Sequence, residues 1–160
     1  MSPAPDSAER ADTGAVPGLP EVAAWCGAAG AWERLDEPDS GIQLHLCRVG
    51  ERIRVLAVRG EIDAAEATAF QNAAIDLVRT AKYLVVDLTG VRFLASRGLA
   101  ALVRTQRAAD DVGSRVAVVT GGSRVVLRPM QVTGVDTQLH LVDSLEDLER
   151  PDGSALTGRH

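Results

Sequence analysis

Residues 83–103 have the sequence YLVVDLTGVRFLASRGLAALV. The beginning of this stretch, YLVVDL, is almost continuously apolar, which is typical of a strand that is covered on both faces of a parallel sheet. The strand is predicted to end at Asp87, and residues 89–94 are predicted to form a short loop. A helix then begins at Ser96, and its inner face is formed by Leu99, Leu102 and Val103. A buried strand, a loop and an amphipathic helix in this order indicate an α/β fold.

A hairpin is predicted ahead of this unit. Residues 42–47 alternate apolar and more polar side chains, which predicts a strand with one buried face. Residues 53–59 predict a second strand that ends at Gly60, and residues 49–52 have the composition of the turn between the two.

A first helix is predicted to follow the hairpin. Asp63 stands at its N-cap position, and Glu66 follows at the spacing of a capping box. The apolar stripe of this helix is formed by Phe70, Ala74, Leu77 and Val78.

Strands and helices continue to alternate in the second half of the chain. Residues 115–120 predict a buried strand, residues 123–132 a third helix with Gly134 near its C-cap, and residues 139–142 a last short strand. A fourth helix is predicted from Asp143 or Ser144 through Leu148. The order β-β-α-β-α-β-α-β-α predicts one α/β domain with a mixed, mostly parallel five-stranded sheet and about four helices.

The length of 160 residues suits a single domain with tails. We expect the domain over residues 41–150. Residues 1–40 form an N-terminal tail that is predicted to be disordered to about residue 20, because it is rich in Pro, Ala and Gly, with a short helix at 21–37. Residues 151–160 are predicted to be a disordered C-terminal tail.

The composition limits the classes of function. With 46% hydrophobic and 24% charged residues, the chain can form a packed core. Its net charge of −5 argues against nucleic acid and anionic membranes as partners. No apolar stretch approaches the roughly 20 residues of a membrane span, and the N-terminus lacks the pattern of a secretory signal, so we expect a cytoplasmic protein.

The cysteines and histidines do not form a recognisable metal or cofactor site. Cys26 and Cys47 form no CxxC pair, and the three histidines lack metal-ligand spacing. We therefore expect no cofactor and no metal, and free thiols in a reducing compartment. A redox switch between Cys26 and Cys47 remains an alternative.

Residues 84–98 (LVVDLTGVRFLASRG) resemble the STAS domain of anti-sigma factor antagonists, whose usual string is VVDLSGVxF(I/L)DSSGL. The resemblance continues in GEID at 60–63, which is similar to the family's GE(L/I)D turn. LRPM at 127–130, VTGVD at 132–136 and SLEDL at 144–148 resemble the third helix and the closing segment of the family. The resemblance as a whole covers residues 41–150.

This resemblance implies a regulatory function. The dephosphorylated antagonist binds an anti-sigma factor that is also a serine kinase, which releases the sigma factor for transcription in a stress response. Phosphorylation of a serine that matches Ser96 breaks the complex, and a phosphatase restores it. The family's DSSG is Ala95-Ser96-Arg97-Gly98 here, so the acidic residue before the acceptor is replaced and a cation follows it. The partner's identity and the oligomeric state are not specified by the sequence.

The resemblance also implies a contact edge at the carboxyl ends of neighbouring strands, where helices begin. Ser96 is the candidate phosphorylation site, although a serine at a helix start is also an ordinary N-cap. Asp63 has the alternative role of a helix cap, and Asp87 that of an acceptor for its own loop. The candidate partner-binding residues are Asp63, Asp87, Thr89, Leu94, Ala95, Ser96, Arg97 and Gly98.

The same residues bear on two other functions. Catalysis is not expected, because the chain has no GxxxxGK[ST], GxGxxG or GxSxG motif, and Gly121-Gly122-Ser123 lacks the lysine of a phosphate loop. A STAS scaffold or sensor that responds to a ligand or to redox state, without phosphorylation, is the alternative that Ala95 and Arg97 favour.

Overall fold

A computed structural model describes residues 32–36 and 39–144 of the chain. The described elements form a single mixed sheet with helices in the connections. In chain order they are β1 (Trp32–Arg34), β2 (Ile42–Val49), β3 (Ile53–Ile62), α1 (Ala64–Thr80), β4 (Tyr83–Leu94), α2 (Ser96–Val112), β5 (Arg115–Val119), α3 (Arg124–Thr133), a 3₁₀ turn (Val135–Gln138) and β6 (Leu141–Val142).

The six strands lie side by side in sequence order, β1 to β6. β1, β2 and β3 pair antiparallel, whereas β3, β4, β5 and β6 pair parallel. The predicted class, a mixed and mostly parallel sheet with an antiparallel edge, is confirmed. The additional strand is β1, which pairs with β2 from Trp32 opposite Cys47. The helix predicted over 21–37 therefore does not include residues 32–34, because pairing with β2 holds them extended; residues 21–31 lie outside the described residues.

The three described helices cover the same face of the sheet. Successive right-handed crossovers that move in one direction along a sheet place their helices on one side. Alternate strand residues, such as Leu84 and Val86 of β4, share one buried cluster with Phe70 of α1, Leu102 of α2 and Met130 of α3. The intervening strand residues form a second cluster on the other face: Trp32, Cys47, Ile53, Val55, Ala57, Tyr83, Val85, Ala117, Val119 and Val142.

The middle strands are longer than the sequence pattern predicts. β3 continues past Gly60 to Ile62, and β4 continues past Asp87 to Leu94, so the loop predicted over 89–94 is instead paired strand. Shifts of register between Ala57 and Arg59 and between Gly60 and Glu61 allow this pairing. Gly60 makes the second shift sterically feasible, since its φ is +101° and a Cβ there would lie 2.5 Å from the carbonyl oxygen of Gly41.

The last third of the domain follows the prediction closely. α3 begins one residue later than predicted and ends at Gly134, which is left-handed at φ 81° as a C-cap. The last strand is shortened to Leu141–Val142 by the preceding 3₁₀ turn. The predicted helix through Leu148 lies almost entirely outside the described residues, as do the tails 1–20 and 151–160. None of the helices described for this chain is long and apolar enough to cross a membrane.

Candidate functional site

The candidate site lies where β4 separates from β5. β4 pairs with β5 only as far as Asp87, opposite Val119, and from Gly90 to Leu94 it pairs with β3. This leaves the final residues of β4, and the α2 helix that follows, at the carboxyl edge of the parallel strands. Sheets of this type place functional groups at that edge.

Asp87 fixes the start of this extension. It is only 2% exposed, and its Oδ1 accepts hydrogen bonds from the backbone N of Thr89 at 2.9 Å and from Thr89 Oγ1 at 2.7 Å. The Thr89 methyl group packs against Gly121, where a Cβ would lie 2.8 Å from Thr89 Cγ2. Asp87 therefore has the structural role that was its alternative in the sequence, and its contacts hold Thr89 in place.

Ser96 is the first residue of α2, and it is exposed. The N-cap is Ala95, in extended conformation, so Ser96 does not cap the helix as the alternative prediction held. Ala95 donates its backbone N–H to the carbonyl of Ile62 at 2.9 Å, and its own carbonyl accepts from Gly98 and Leu99 at 2.9 and 3.1 Å. Because Ala95 has no side-chain acceptor, the positive end of α2 is uncapped by its own N-cap residue and faces the surface at Ser96.

Leu94 and Gly98 are buried, and they lie on either side of Ser96 in the chain. Leu94 is 5% exposed and belongs to the helix-side core. A Cβ on Gly98 would lie 2.7 Å from Leu94 Cδ1 and 2.8 Å from Ile62 Cγ2, so this position has no room for a side chain. These two candidate contact residues therefore determine how closely the first turn of α2, which carries Ser96, packs against the core.

Asp63 caps α1, as its alternative role predicted. Its Oδ1 accepts from the backbone N of Glu66 at 3.0 Å. Glu66 does not complete a capping box, because its carboxylate accepts instead from Ser40 Oγ at 2.7 Å and from the backbone N of Gly41 at 3.3 Å. Since Ala95 bonds to Ile62, the residue just before Asp63, the starts of α1 and α2 are held side by side.

The exposed part of the site includes two residues that the sequence analysis did not select. Arg92 and Phe93 are both exposed, and Phe93 is 49% accessible despite its apolar ring. Ser96 and Arg97 are exposed as well, and we call these four exposed residues at the end of β4 and the start of α2 the Ser96 face. Its aromatic member had no distinguishing signal in the sequence, because an aromatic residue between Val91 and Leu94 is equally compatible with the core.

The cysteines are not part of this face. Cys47 is wholly buried in the second apolar cluster and is disulfide-bonded, which contradicts the expectation of free thiols. Cys26 lies outside the described residues. Across residues 32–36 and 39–144, no group of three or more His, Cys, Asp or Glu side chains is arranged to hold a metal ion.

The arrangement suits recognition by another protein and addition of a phosphoryl group. An exposed hydroxyl at the positive end of a helix can carry a phosphate without loss of buried structure. The remaining candidate residues brought to this edge are Asp63, Thr89 and Ala95, all partly buried around it.

Comparison with known proteins identifies the family of this domain. The profile of the family described as Mlab, STAS domain, matches residues 48–143. The anti-sigma-F factor antagonist RsfB of Mycobacterium tuberculosis, in strains CDC 1551 and H37Rv, is 37% identical over 109 residues, which span 66% of this chain and 80% of RsfB.

Solved structures show the same fold. An anti-sigma factor antagonist from Mycobacterium paratuberculosis superposes with a TM-score of 0.57 at 32% identity, over 71% of this chain and 94% of that one. The anti-sigma factor antagonist SpoIIAA in its unphosphorylated form superposes with a TM-score of 0.54 at 16% identity, over 63% of this chain and 89% of its own. Because the family profile matches residues 48–143, from the end of β2 through β6 and with the strand–helix unit around Ser96 inside this range, the chain belongs to the STAS-domain family.

Proposed function

We propose that this protein is an anti-sigma factor antagonist that binds an anti-sigma factor through the Ser96 face, and that phosphorylation of Ser96 ends the binding. The observation that carries the proposal is the position of Ser96, exposed as the first residue of α2 and three residues after the exposed Phe93. The name of RsfB, an anti-sigma-F factor antagonist, supports the same class of partner.

The Ser96 face has the features of a binding surface rather than of a catalytic centre. This segment exposes an aromatic ring and two arginines, residue types that are enriched at protein interfaces. The buried residues beneath it, Leu94 and Gly98, keep it rigid, which lowers the entropic cost of association. Binding of the anti-sigma factor at this face would release the sigma factor and permit transcription in the cytoplasm.

Phosphorylation would change this face by charge. A phosphoserine carries about −1.5 to −2 charges at neutral pH. At the first residue of α2 that charge is favourable toward the helix, so the domain stays folded. Within an interface that accepts a neutral hydroxyl, it would be desolvated without a partner, which weakens the complex. The kinase would be the anti-sigma factor itself, and a phosphatase would reverse the modification.

The decisive experiment compares Ser96→Ala and Ser96→Asp with the wild type. Each is used as bait in host lysate, and the recovered anti-sigma factor is then titrated against each by calorimetry. We expect Ser96→Ala to bind like wild type and Ser96→Asp to bind at least tenfold more weakly, about 1.4 kcal/mol. Gln138→Glu is the matched control, because Gln138 is exposed and precedes β6 at the opposite edge of the parallel strands.

Equal affinity of wild type and Ser96→Asp would remove Ser96 as the control point while retaining the antagonist function. Failure of every bait to recover an anti-sigma factor would remove the antagonist function itself. Incubation with the recovered kinase and ATP, followed by peptide mass spectrometry, tests whether Ser96 accepts the phosphoryl group.

A second candidate function is a STAS scaffold or sensor without phosphorylation, and the disulfide at Cys47 favours it. Its test is the affinity of the oxidised and the reduced protein for the same partner. A difference between the two forms, with no phosphate at Ser96 in protein isolated from the host, would favour the sensor over the phosphorylation switch.

A further inference from the structure

A groove runs along the helix pair from the Ser96 face. It lies between α1 and α2, has a volume of about 280 Å³, and is lined by Ala67, Thr68, Gln71, Arg97, Ala100 and Arg104. The two alanines are its apolar lining residues, and the two arginines supply its charge. We call it the arginine groove.

The two arginines are held on one side of α2. Arg97 and Arg104 are seven residues apart, which is close to two helical turns and about 10 Å along the axis. Nη1 of Arg104 donates to Oε1 of Gln71 across the groove at 3.1 Å, so a neutral side chain of α1 orients this guanidinium. Both arginines are exposed.

Neither Arg97 nor Arg104 takes part in an ion pair within the part of the chain that the structure describes. The ion pairs observed among residues 32–36 and 39–144 join Arg34 to Asp36 and Arg48 to Glu33, at the β1–β2 edge of the sheet. The carboxylates at the start of α1 are already engaged, Asp63 with the backbone of Glu66, and Glu66 with Ser40 and Gly41. These carboxylates keep their negative charge but do not line the groove, whose charged lining residues are Arg97 and Arg104, so the groove is locally cationic in a chain with a net charge of −5.

We propose that the arginine groove binds an acidic segment of the partner protein, with carboxylates that pair with Arg97 and Arg104. Guanidinium groups bind carboxylates with two parallel hydrogen bonds, and Gln71 already fixes the orientation of one of them. This inference rests on the proposed function for the identity of the partner, but the groove's preference for carboxylates can be measured without it.

An acidic partner also explains how a phosphate at Ser96 would act in this chain. Ser96 immediately precedes Arg97, so a phosphate there would offset the positive potential at the mouth of the groove. It would also repel the carboxylates of the incoming segment. Arg97 stands where the family's DSSG string has its second serine. Its positive charge is the one that a phosphate at Ser96 would offset.

The test has two arms. In the first, isotope-labelled protein is titrated with a synthetic helical peptide that carries glutamates seven residues apart, and with the same peptide carrying glutamines. We expect amide shifts at Gln71, Ala100 and Arg104 with the glutamate peptide, reduced at least fivefold with the glutamine peptide. Absence of shifts at the groove, or equal shifts with both peptides, would overturn the proposal.

In the second arm, the anti-sigma factor recovered with the Ser96→Ala bait is titrated against Arg97→Glu, Arg104→Glu and the double variant. We expect the double variant to bind the anti-sigma factor at least tenfold more weakly. The affinity that remains should depend less on salt concentration. Arg52→Glu is the matched control, because Arg52 is exposed and precedes β3 at the opposite edge. Circular dichroism establishes that each variant is folded.

The two arms separate the possible failures. Tight binding of the anti-sigma factor by the double variant would overturn the groove and leave the antagonist function intact. Selective binding of the glutamate peptide without any anti-sigma factor complex would retain the groove and overturn the antagonist function.

Discussion

Oδ1 of Asp87 accepts two hydrogen bonds from Thr89, one from the backbone N at 2.9 Å and one from Oγ1 at 2.7 Å. This contact lies at the last residue where β4 pairs with β5. It fixes the chain as β4 continues toward Ser96 along β3. The buried carboxylate therefore acts on the surface indirectly, through the position of the extended strand.

Replacement of Asp87 by alanine should destabilise the domain. The amide and hydroxyl of Thr89 would lose their shared acceptor, and unpaired polar groups in a buried setting cost about 1–3 kcal/mol. Urea unfolding measures the change. Asp87→Asn, which keeps an oxygen acceptor at the same place, should lose less than half as much. A loss within 0.5 kcal/mol for Asp87→Ala would show that water replaces the carboxylate, and would contradict the fixed turn.

Gly98→Ala is expected to destabilise the protein although alanine favours helices. In an exposed helix the change would stabilise by about 0.5–1 kcal/mol. Here the added Cβ would lie 2.7 Å from Leu94 Cδ1 and 2.8 Å from Ile62 Cγ2, and overpacking of this kind costs about 1–3 kcal/mol.

A double-mutant cycle with Leu94→Ala tests the cause of that loss. Removal of Leu94 Cδ1 opens space for the new methyl group, so Gly98→Ala should be less harmful in that background than in the wild type. Additive effects of the two substitutions on the free energy of unfolding would assign the overpacking to Ile62 Cγ2, which stays 2.8 Å from the added Cβ.

Asp63→Ala should lower the free energy of unfolding by about 1 kcal/mol, because the backbone N of Glu66 loses its acceptor at the start of α1. Asp63→Ser keeps an acceptor at the N-cap and serves as the control. Thermal unfolding followed by circular dichroism compares the two. If Asp63→Ser loses as much stability as Asp63→Ala, the role of this residue is something other than capping.

The sequence predicts the fold well because periodicity reports burial. The apolar run from Tyr83 to Leu88 and the stripe through Phe70 and Ala74 identify β4 and α1, since both patterns are local. The extension of β4 to Leu94 was missed because it depends on bulges against β3, which form only when the two strands meet. β1 was missed because Trp32 to Arg34 are extended by β2 and have no strand pattern of their own.

The site was predictable in position but not in detail. The string around Ser96 located the edge, and the capping role of Asp63 followed from its spacing to Glu66. The burial of Leu94 and Gly98 and the exposure of Phe93 depend on how α2 packs on Ile62, which no local pattern encodes. The disulfide at Cys47 contradicts the favoured expectation of free thiols, because a sequence without a CxxC pair does not show which sulfur atoms the fold brings together.

Ala95→Asp restores the residue that the family string has at this position, and we expect it to stabilise the domain. Ala95 already has the extended conformation of an N-cap, with φ −79° and ψ 167°, but it offers no side-chain acceptor to the first turn of α2. A carboxylate there can accept from the amide of Arg97, a gain of about 1 kcal/mol relative to alanine. Urea unfolding at low ionic strength measures that gain.

Ala95→Asn distinguishes capping from charge. Asparagine accepts the same hydrogen bond without a negative charge, so it should reproduce most of the gain if capping is the cause. A gain for aspartate alone, which disappears in high salt, would instead indicate interaction with the helix dipole or with the arginine groove. A loss of stability with both substitutions would mean that the first turn of α2 has no amide available, contrary to the uncapped helix start described above.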